Sequence, residues 1–265
     1  MYHHISTSPG MITVSPSHFA AQMAWLAKAG YRTIGSEQLA AWFAGEPLPQ
    51  KSVMITFDDG YLDNWVHAHP VLKAHGLSAL CFLVTSWPGE GATRAHAGSG
   101  GALPPLLDHH AGEAAIENGS ADSAILRWSE IDAMRAAGTF EFHSHTHSHV
   151  RWDKVTTSAQ EKRERLAADL AESREVLQAR LGGASDHLCW PQGYYDDDYL
   201  SAAQQAGFRH LYTCEVGPNY PRREAGAARS ISRLEVRDRP VSWLASRLWV
   251  HTRPAISRAY LRIKR

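Results

Sequence analysis

Two clusters of side chains in this sequence have the types and spacing that hydrolytic chemistry needs. The first is Asp58-Asp59, which follows the apolar, β-prone run Ser52-Val53-Met54-Ile55-Thr56-Phe57 and precedes Gly60. Two carboxylates where a strand gives way to a loop invite a cation, because one can bind it while the other stays free as a base. Asp-Asp-Gly is also a common polar turn, so the pair alone decides little. The second cluster is His143-Ser144-His145-Thr146-His147-Ser148-His149, directly after the strand-like Thr139-Phe140-Glu141-Phe142. Histidines four apart on a short turn can aim two imidazoles at one ion. Two imidazoles and one carboxylate then leave open positions for water and substrate. His143 and His147 share the spacing of His145 and His149, so spacing leaves the register open, and a His-rich loop can also be a solvated segment or an incidental metal binder.

Such clusters need a scaffold that brings distant strand ends together, and the order of elements predicts one. Strand-like and helix-like segments alternate, the pattern of an α/β protein with a parallel sheet or barrel. Ser15-Pro16 reads as an N-cap with proline at the first helical position, and Phe19, Met23 and Leu26 recur on one face before Gly30. A short strand is expected at Tyr31 to Ile34, a helix capped by Ser36 through Phe43, a strand at 52–57, a helix to His75 and a strand at 79–84. From Trp87 to about Ala124 the composition turns to Gly, Ala, Pro and His, which predicts a long loop insertion. A helix capped by Ser129 and ending near Gly138 leads into the strand at 139–142. Leu166, Leu170, Leu177 and Leu181 mark one face of a long charged helix closed by Gly182-Gly183. Leu188-Cys189-Trp190 then runs into Pro191-Gln192-Gly193-Tyr194-Tyr195, with a helix over 196–206.

At 265 residues the chain is long enough to bury a full core, and one domain over 1–265 is expected. Lys+Arg and Asp+Glu balance at 27 each, which gives no reason to expect nucleic acid as a partner. The three cysteines, Cys81, Cys189 and Cys214, form no CxxC pair, which argues against a disulfide framework and a cysteine zinc site. No basic segment followed by an apolar stretch opens the sequence, and nowhere do about 18 apolar residues run together. A cytoplasmic, reducing location is the expectation.

Taken in order, Thr56-Phe57-Asp58-Asp59-Gly60, the His-rich segment and Pro191-Gln192-Gly193-Tyr194 resemble the first three motifs of the polysaccharide deacetylase (NodB-homology) family. Glu141-Phe142-His143-Ser144 occupies the lead that precedes the family's His-[Ser/Thr]-x-x-His pair, so the resemblance assigns the ligands to His145 and His149. The opening Tyr2-His3-His4-Ile5 and the helix over 15–31 look like the N-terminal extension of the family's surface-polysaccharide members. The resemblance covers most of residues 1–236. It implies a distorted (β/α) barrel. It also implies removal of acetyl groups from N-acetylated sugars of a glycan or lipid-linked saccharide. Asp59, His145 and His149 would hold a divalent metal, zinc first, with cobalt, nickel or iron suiting the same donors. Asp58 would be the general base, and the backbone N–H of Tyr194 would face the oxyanion. The sequence departs from the family in two places. Cys189 stands where many relatives carry an arginine two residues before the proline, and the late apolar-His-Asp motif has no clean equivalent. His251 lacks the following aspartate and Arg233, in Ile231-Ser232-Arg233-Leu234, reads equally as a site residue or a surface arginine, so the general acid is unassigned.

In the insertion, His96, His109 and His110 are either the missing donor and groove wall or a polar loop. Trp87 and Trp128 are either sugar platforms or core. The tail over about 244–265 carries Arg247, Arg253, Arg258, Arg262, Lys264 and Arg265, no acidic residue, and interleaved Leu248, Trp249, Ile256, Tyr260, Leu261 and Ile263. That mixture suits contact with an anionic membrane at the cytoplasmic face, or simply the complement of a helix dipole. Two other functional readings compete with the enzyme: a carbohydrate-binding protein that keeps the metal shell without turnover, and a histidine-rich metal buffer.

Overall fold

A computed structural model of the chain describes residues 1–221 and 229–264. A short parallel pair, β1 (His4–Ile5) and β2 (Thr13–Val14), is followed by α1 (Pro16–Lys28), β3 (Arg32–Thr33), α2 (Ser36–Phe43) and β4 (Ser52–Val53), and β3 and β4 pair in parallel. Next come β5 (Thr56–Asp59), α3 (His69–His75), β6 (Ala79–Leu83), α4 (His109–Glu117), α5 (Trp128–Ala136) and β7 (Phe140–Ser144). Then follow α6 (Trp152–Val155), α7 (Ala159–Leu181), β8 (His187–Cys189), α8 (Asp197–Gln205), β9 (His210–Tyr212), β10 (Arg229–Ile231), α9 (Val241–His251) and α10 (Pro254–Lys264). Strands β5 to β10 lie side by side in chain order and all run parallel. The sheet curls into a half-barrel, the α/β architecture expected from the alternation.

Side-chain alternation divides the core into two layers. On β6, Ala79, Cys81 and Leu83 face the outer layer with Phe19, Met23, Ile131 and Met134, while Leu80 and Phe82 face inward to Leu39 and Phe43 of α2. The N-terminal residues cross the open seam of the half-barrel. Tyr2 N donates to Thr56 O (2.8 Å) and Asp58 N to Tyr2 O (3.0 Å), while Val236 N donates to Met1 O (3.0 Å). Residues 1 and 2 thus join β5 to the segment after β10, and His3 lies beside the carboxyl end of β5. In parallel α/β folds that rim is where ligands meet loops.

The strand expected over 52–57 is two strands, Ser52–Val53 in a small ribbon and Thr56–Asp59 in the main sheet, a division that a run of apolar residues cannot reveal. The helix expected to be capped by Ser129 starts two residues earlier, with Arg127 at its N-cap, because Glu130 reaches back to the Arg127 N–H (2.8 Å). Likewise Gly35, not Ser36, is the N-cap of α2. The strand expected over 139–142 continues to Ser144, which takes His143 out of the loop. The insertion at about 88–124 is present, and it is ordered. It contains α4, capped by Asp108, and is tied down by Arg94, whose guanidinium makes two hydrogen bonds to the fully buried Glu130 (2.8 and 2.7 Å) and whose backbone N–H makes a third (3.0 Å).

Candidate active site

Asp58 and Asp59 reach one pocket because the backbone turns between them. Asp59 sits at φ 73°, a left-handed conformation that an aspartate adopts only at a cost, and Gly60 follows at φ 81°. Both carboxylates are buried, yet they face different partners. Asp58 points to Arg233, and Asp59 points to the His-rich loop.

That loop is held in shape by more contacts than a solvated segment needs. Thr146 (φ 66°) and His149 (φ 60°) are also left-handed. Thr146 N donates to Ser144 Oγ (3.1 Å) and His149 N to Thr146 Oγ1 (3.1 Å). Ser148 is pinned from α7, its N–H and hydroxyl both donating to Asp169 Oδ1 (2.9 and 2.7 Å). The result places His145 Nε2 at 3.3 Å and His149 Nε2 at 3.5 Å from Asp59 Oδ1.

The tautomer of His145 makes this arrangement informative. Its Nδ1 lies 2.8 Å from the Cys189 carbonyl, an acceptor, so Nδ1 carries hydrogen and Nε2 is the atom turned toward Asp59. Burial works against a charge on this ring, but its partners, Asp59 among them, hold it well above its ordinary value. Asp59 Oδ1 is itself buried with no hydrogen-bond partner. Burial brings His149 down to about 4, so its ring is neutral at pH 7. Burial works against the Asp59 charge, and the His145 and His149 rings still hold that carboxyl well below its ordinary value. Two imidazoles and a carboxylate oxygen, all within 4.8 Å of one another, fit a divalent cation.

The Asp58 side is a separate unit. Arg233 donates to both its oxygens, Nη1 to Oδ1 at 2.7 Å and Nη2 to Oδ2 at 2.8 Å, with both side chains buried. Burial would raise the Asp58 carboxyl, but the guanidinium outweighs it and holds the group at about 2. Cys189 Sγ lies 3.6 Å from Asp58 and 3.0 Å from Arg233 Nη2, and burial raises its thiol, so it stays protonated. His3 Nε2 lies 3.8 Å from Asp58 Oδ2. Burial lowers the His3 imidazole against the pull of Asp58 and Asp59, which makes it a ready proton donor once charged.

Of the residues singled out in the sequence, Asp58, Asp59, His145 and His149 converge on this rim. Tyr194 stays in the turn after β8, where its N–H donates to Pro191 O at 3.2 Å and its ring lies 3.6 Å under the Arg151 guanidinium. Gln192 (φ 56°) and Gly193 (φ 69°) shape that turn, and a Cβ on Gly193 would meet Cys214 at 2.7 Å. Trp87 stands beside His149 with ring centroids 5.4 Å apart, whereas Trp128 is buried in the core. His143 faces the barrel interior, and His147 meets Thr85 (3.0 Å). His109 reaches His4 and Tyr61 (3.4 Å each), His96 packs on Trp65, and His110 points to solvent. His251 lies in the C-terminal helix pair, 2.9 Å from Ser257. Arg233, open between two readings in the sequence, is a site residue. His3 was missed, since only the seam crossing brings it there.

The polysaccharide deacetylase family model matches residues 45–211. A relative from Bacillus subtilis (strain 168), YxkH, is 28% identical over 218 residues, covering 82% of this chain and 64% of that protein. The poly-beta-1,6-N-acetyl-D-glucosamine N-deacetylase of Escherichia coli (strain K12) is 25% identical over 228 residues, 78% of this chain but 31% of its own length. The chain therefore spans less than two thirds of either relative. Among solved structures, the deacetylase PplD of Streptococcus pyogenes in complex with acetate superposes with a TM-score of 0.72 at 21% identity, covering 93% of this chain and 95% of that one. With its Asp-Asp strand end, His-rich loop and Pro-Gln-Gly-Tyr turn on one rim of a curled parallel sheet, this chain belongs to the polysaccharide deacetylase family.

Proposed function

We propose that the protein is a divalent-metal-dependent N-deacetylase of saccharides. One observation carries the metal: a buried Asp59 oxygen without a hydrogen-bond partner faces the Nε2 atoms of His145 and His149. In this reading Asp59, His145 and His149 hold the ion, with zinc first and cobalt, nickel or iron suited to the same donors. A bound cation supplies polarisation of the acetamido carbonyl and a more acidic water.

The remaining work falls to the chain. Asp58, kept ionised and oriented by Arg233, accepts a proton as water adds to the acetamido carbon. The Tyr194 N–H, whose 3.2 Å bond to Pro191 O is weak, is the candidate donor to the oxygen that gains charge. The C–N bond then breaks. His3 carries the proton from Asp58 to the departing amine, and acetate and a free amino sugar leave. The name of the E. coli relative supports an N-acetylglucosamine glycan as substrate. Trp87, partly exposed beside His149, is placed to stack on a sugar ring. The basic, aromatic helices α9 and α10 support a carrier or membrane surface at the cytoplasmic face as the place of work.

The test is acetate release from N-acetylglucosamine oligomers by the purified protein. Activity is expected to vanish with chelator and return with Zn²⁺ or Co²⁺. Asp59→Ala and His149→Ala should lose the metal at this site and turnover, whereas Asp58→Asn should keep that metal and lose turnover by a factor of about 10² or more. Glycan binding with no acetate release under any of the metals would favour the binding-protein reading instead.

A further inference from the structure

The fold gathers a second group of histidines on the inward face, away from the rim that carries Asp58 and Asp59. In the register of the sheet His187 on β8 sits opposite His210 on β9, and partners in a parallel ladder point to the same face. His143, one residue before the Ser144–Leu188 pair, lies level with them on β7. The three rings stack in sequence, His143 to His187 at 5.1 Å between centroids and His187 to His210 at 4.4 Å. His187 lies two residues before Cys189, whose carbonyl holds His145, so the group sits about 7 Å farther down the strands.

Asp186 completes the set. Its Oδ1 is 3.6 Å from His187 Nε2 and its Oδ2 is 3.7 Å from His210 Nε2. Its carbonyl accepts from Arg209 N (2.8 Å) and His210 N (3.0 Å), which fixes it against β9. The side-chain contacts are too long for hydrogen bonds, but close to the roughly 3.3 Å that separates two donors bound 2.0–2.1 Å from one tetrahedral ion. The ring is held in place for this: His187 Nδ1 and the Tyr212 hydroxyl lie 2.9 Å apart, which leaves Nε2 as the ring atom turned to Asp186. The same three donor types recur as in the rim site, and all three atoms lie within 4.8 Å of one another.

We propose that Asp186, His187 and His210 form a second divalent-metal site, taking Zn²⁺, Co²⁺ or Ni²⁺, that clamps β8 to β9 beneath the catalytic rim. The half-exposed Asp186 gives the ion its entry and lets water fill the remaining position. The site is structural: nothing in it touches Asp58 or Asp59, and the ion would brace the strand whose Cys189 carbonyl orients His145. His143 lies against the group without joining it: its Nδ1 is taken by Ser185 Oγ at 2.6 Å and its Nε2 faces Glu141 Oε2 at 3.5 Å.

Metal stoichiometry of untagged protein, measured by elemental analysis after Zn²⁺ loading and dialysis, separates the two sites. Wild type is expected to hold two equivalents. Asp59→Asn should hold one, and so should Asp186→Asn and His210→Gln. Asp59→Asn/Asp186→Asn should hold none. Co²⁺ bound to Asp59→Asn should show ligand-field absorption that disappears in the double variant, and Zn²⁺ should raise the melting temperature of Asp59→Asn but not of the double variant. Circular dichroism of the single variants checks that they fold. If Asp186→Asn and His210→Gln hold as much metal as wild type, the second site is overturned. If Asp59→Asn holds as much as wild type while Asp186→Asn loses one equivalent, the second site stands and the catalytic metal reading fails.

Discussion

Two adjacent carboxylates act differently here because one long-range arginine separates them. Arg233 is 175 residues from Asp58 in sequence, yet it makes a two-pronged buried pair with it. A carboxyl held at about 2 rather than 3.8 contributes about 2 kcal/mol to folding, present above the ordinary value and lost as pH falls through the folded one. Arg233→Met removes the charge that opposes burial, so the Asp58 carboxyl rises. Stability at pH 7 should fall by about 3–5 kcal/mol, the usual cost of stranding one partner of a buried pair. The acid limb of the rate profile should move to higher pH, which urea unfolding and kcat/KM against pH would show together. An unchanged limb would detach Arg233 from the base. His3→Gln makes a separate prediction. Turnover should drop by about 10²–10⁴ with metal content unchanged, since the ring lies beside Asp58 and outside the Asp59 cluster. Equal turnover in His3→Gln would remove it from the proton path.

At the scale of elements, the His-rich loop depends on α7, which the sequence presents only as a charged helix with a leucine face. Asp169 and Ser173 on its buried side hold Ser148 and Ser144. Asp169→Ala would release two donors and relax the left-handed residues Thr146 and His149. Metal affinity should weaken by about 10–100-fold, as when other supports of metal-binding histidines are removed, while the melting temperature changes little; calorimetric titration with Zn²⁺ measures the first. An affinity unchanged within twofold would make the loop self-supporting. The same element shows where sequence reading stops. Asp58, Asp59 and the histidine cluster were legible because each is local and sits at a predicted strand end, whereas the choice of His145 and His149 within the cluster came from the family resemblance. Arg233 and His3 were not, because their places follow from closure of the half-barrel seam by residues 1–2 and the segment after β10. Strand β9 of three residues carries too little period to be seen, and α4 escaped because Gly112 and a single large apolar residue, Ile116, give it almost no stripe.

For the whole molecule, charge is balanced overall but not in space. Among the described residues, α9 and α10 carry no acidic side chain; Arg265, counted with this tail in the sequence, lies outside them. The arginines sit instead on aromatic rings, Arg253 4.5 Å from the Trp249 centroid and Arg247 4.9 Å from that of Tyr260, while Trp249 and Ile263 are largely exposed. No helix among the described residues is long and apolar enough to cross a membrane. An exposed tryptophan and isoleucine beside arginines that pair with no carboxylate among the described residues suit the headgroup layer, where each cation near an anionic surface adds about 1 kcal/mol. Because net charge is zero, the attraction must be local to this helix pair, and it should be screened within about 10 Å at 0.1 M salt. The protein is expected to sediment with vesicles containing anionic lipid at low salt and to be released by high salt. Arg253→Glu/Arg258→Glu should weaken binding by about 10-fold or more while acetate release from a water-soluble oligomer stays at wild-type level. Equal sedimentation with neutral vesicles, or no response to the double variant, would leave these helices a fold element rather than a membrane contact.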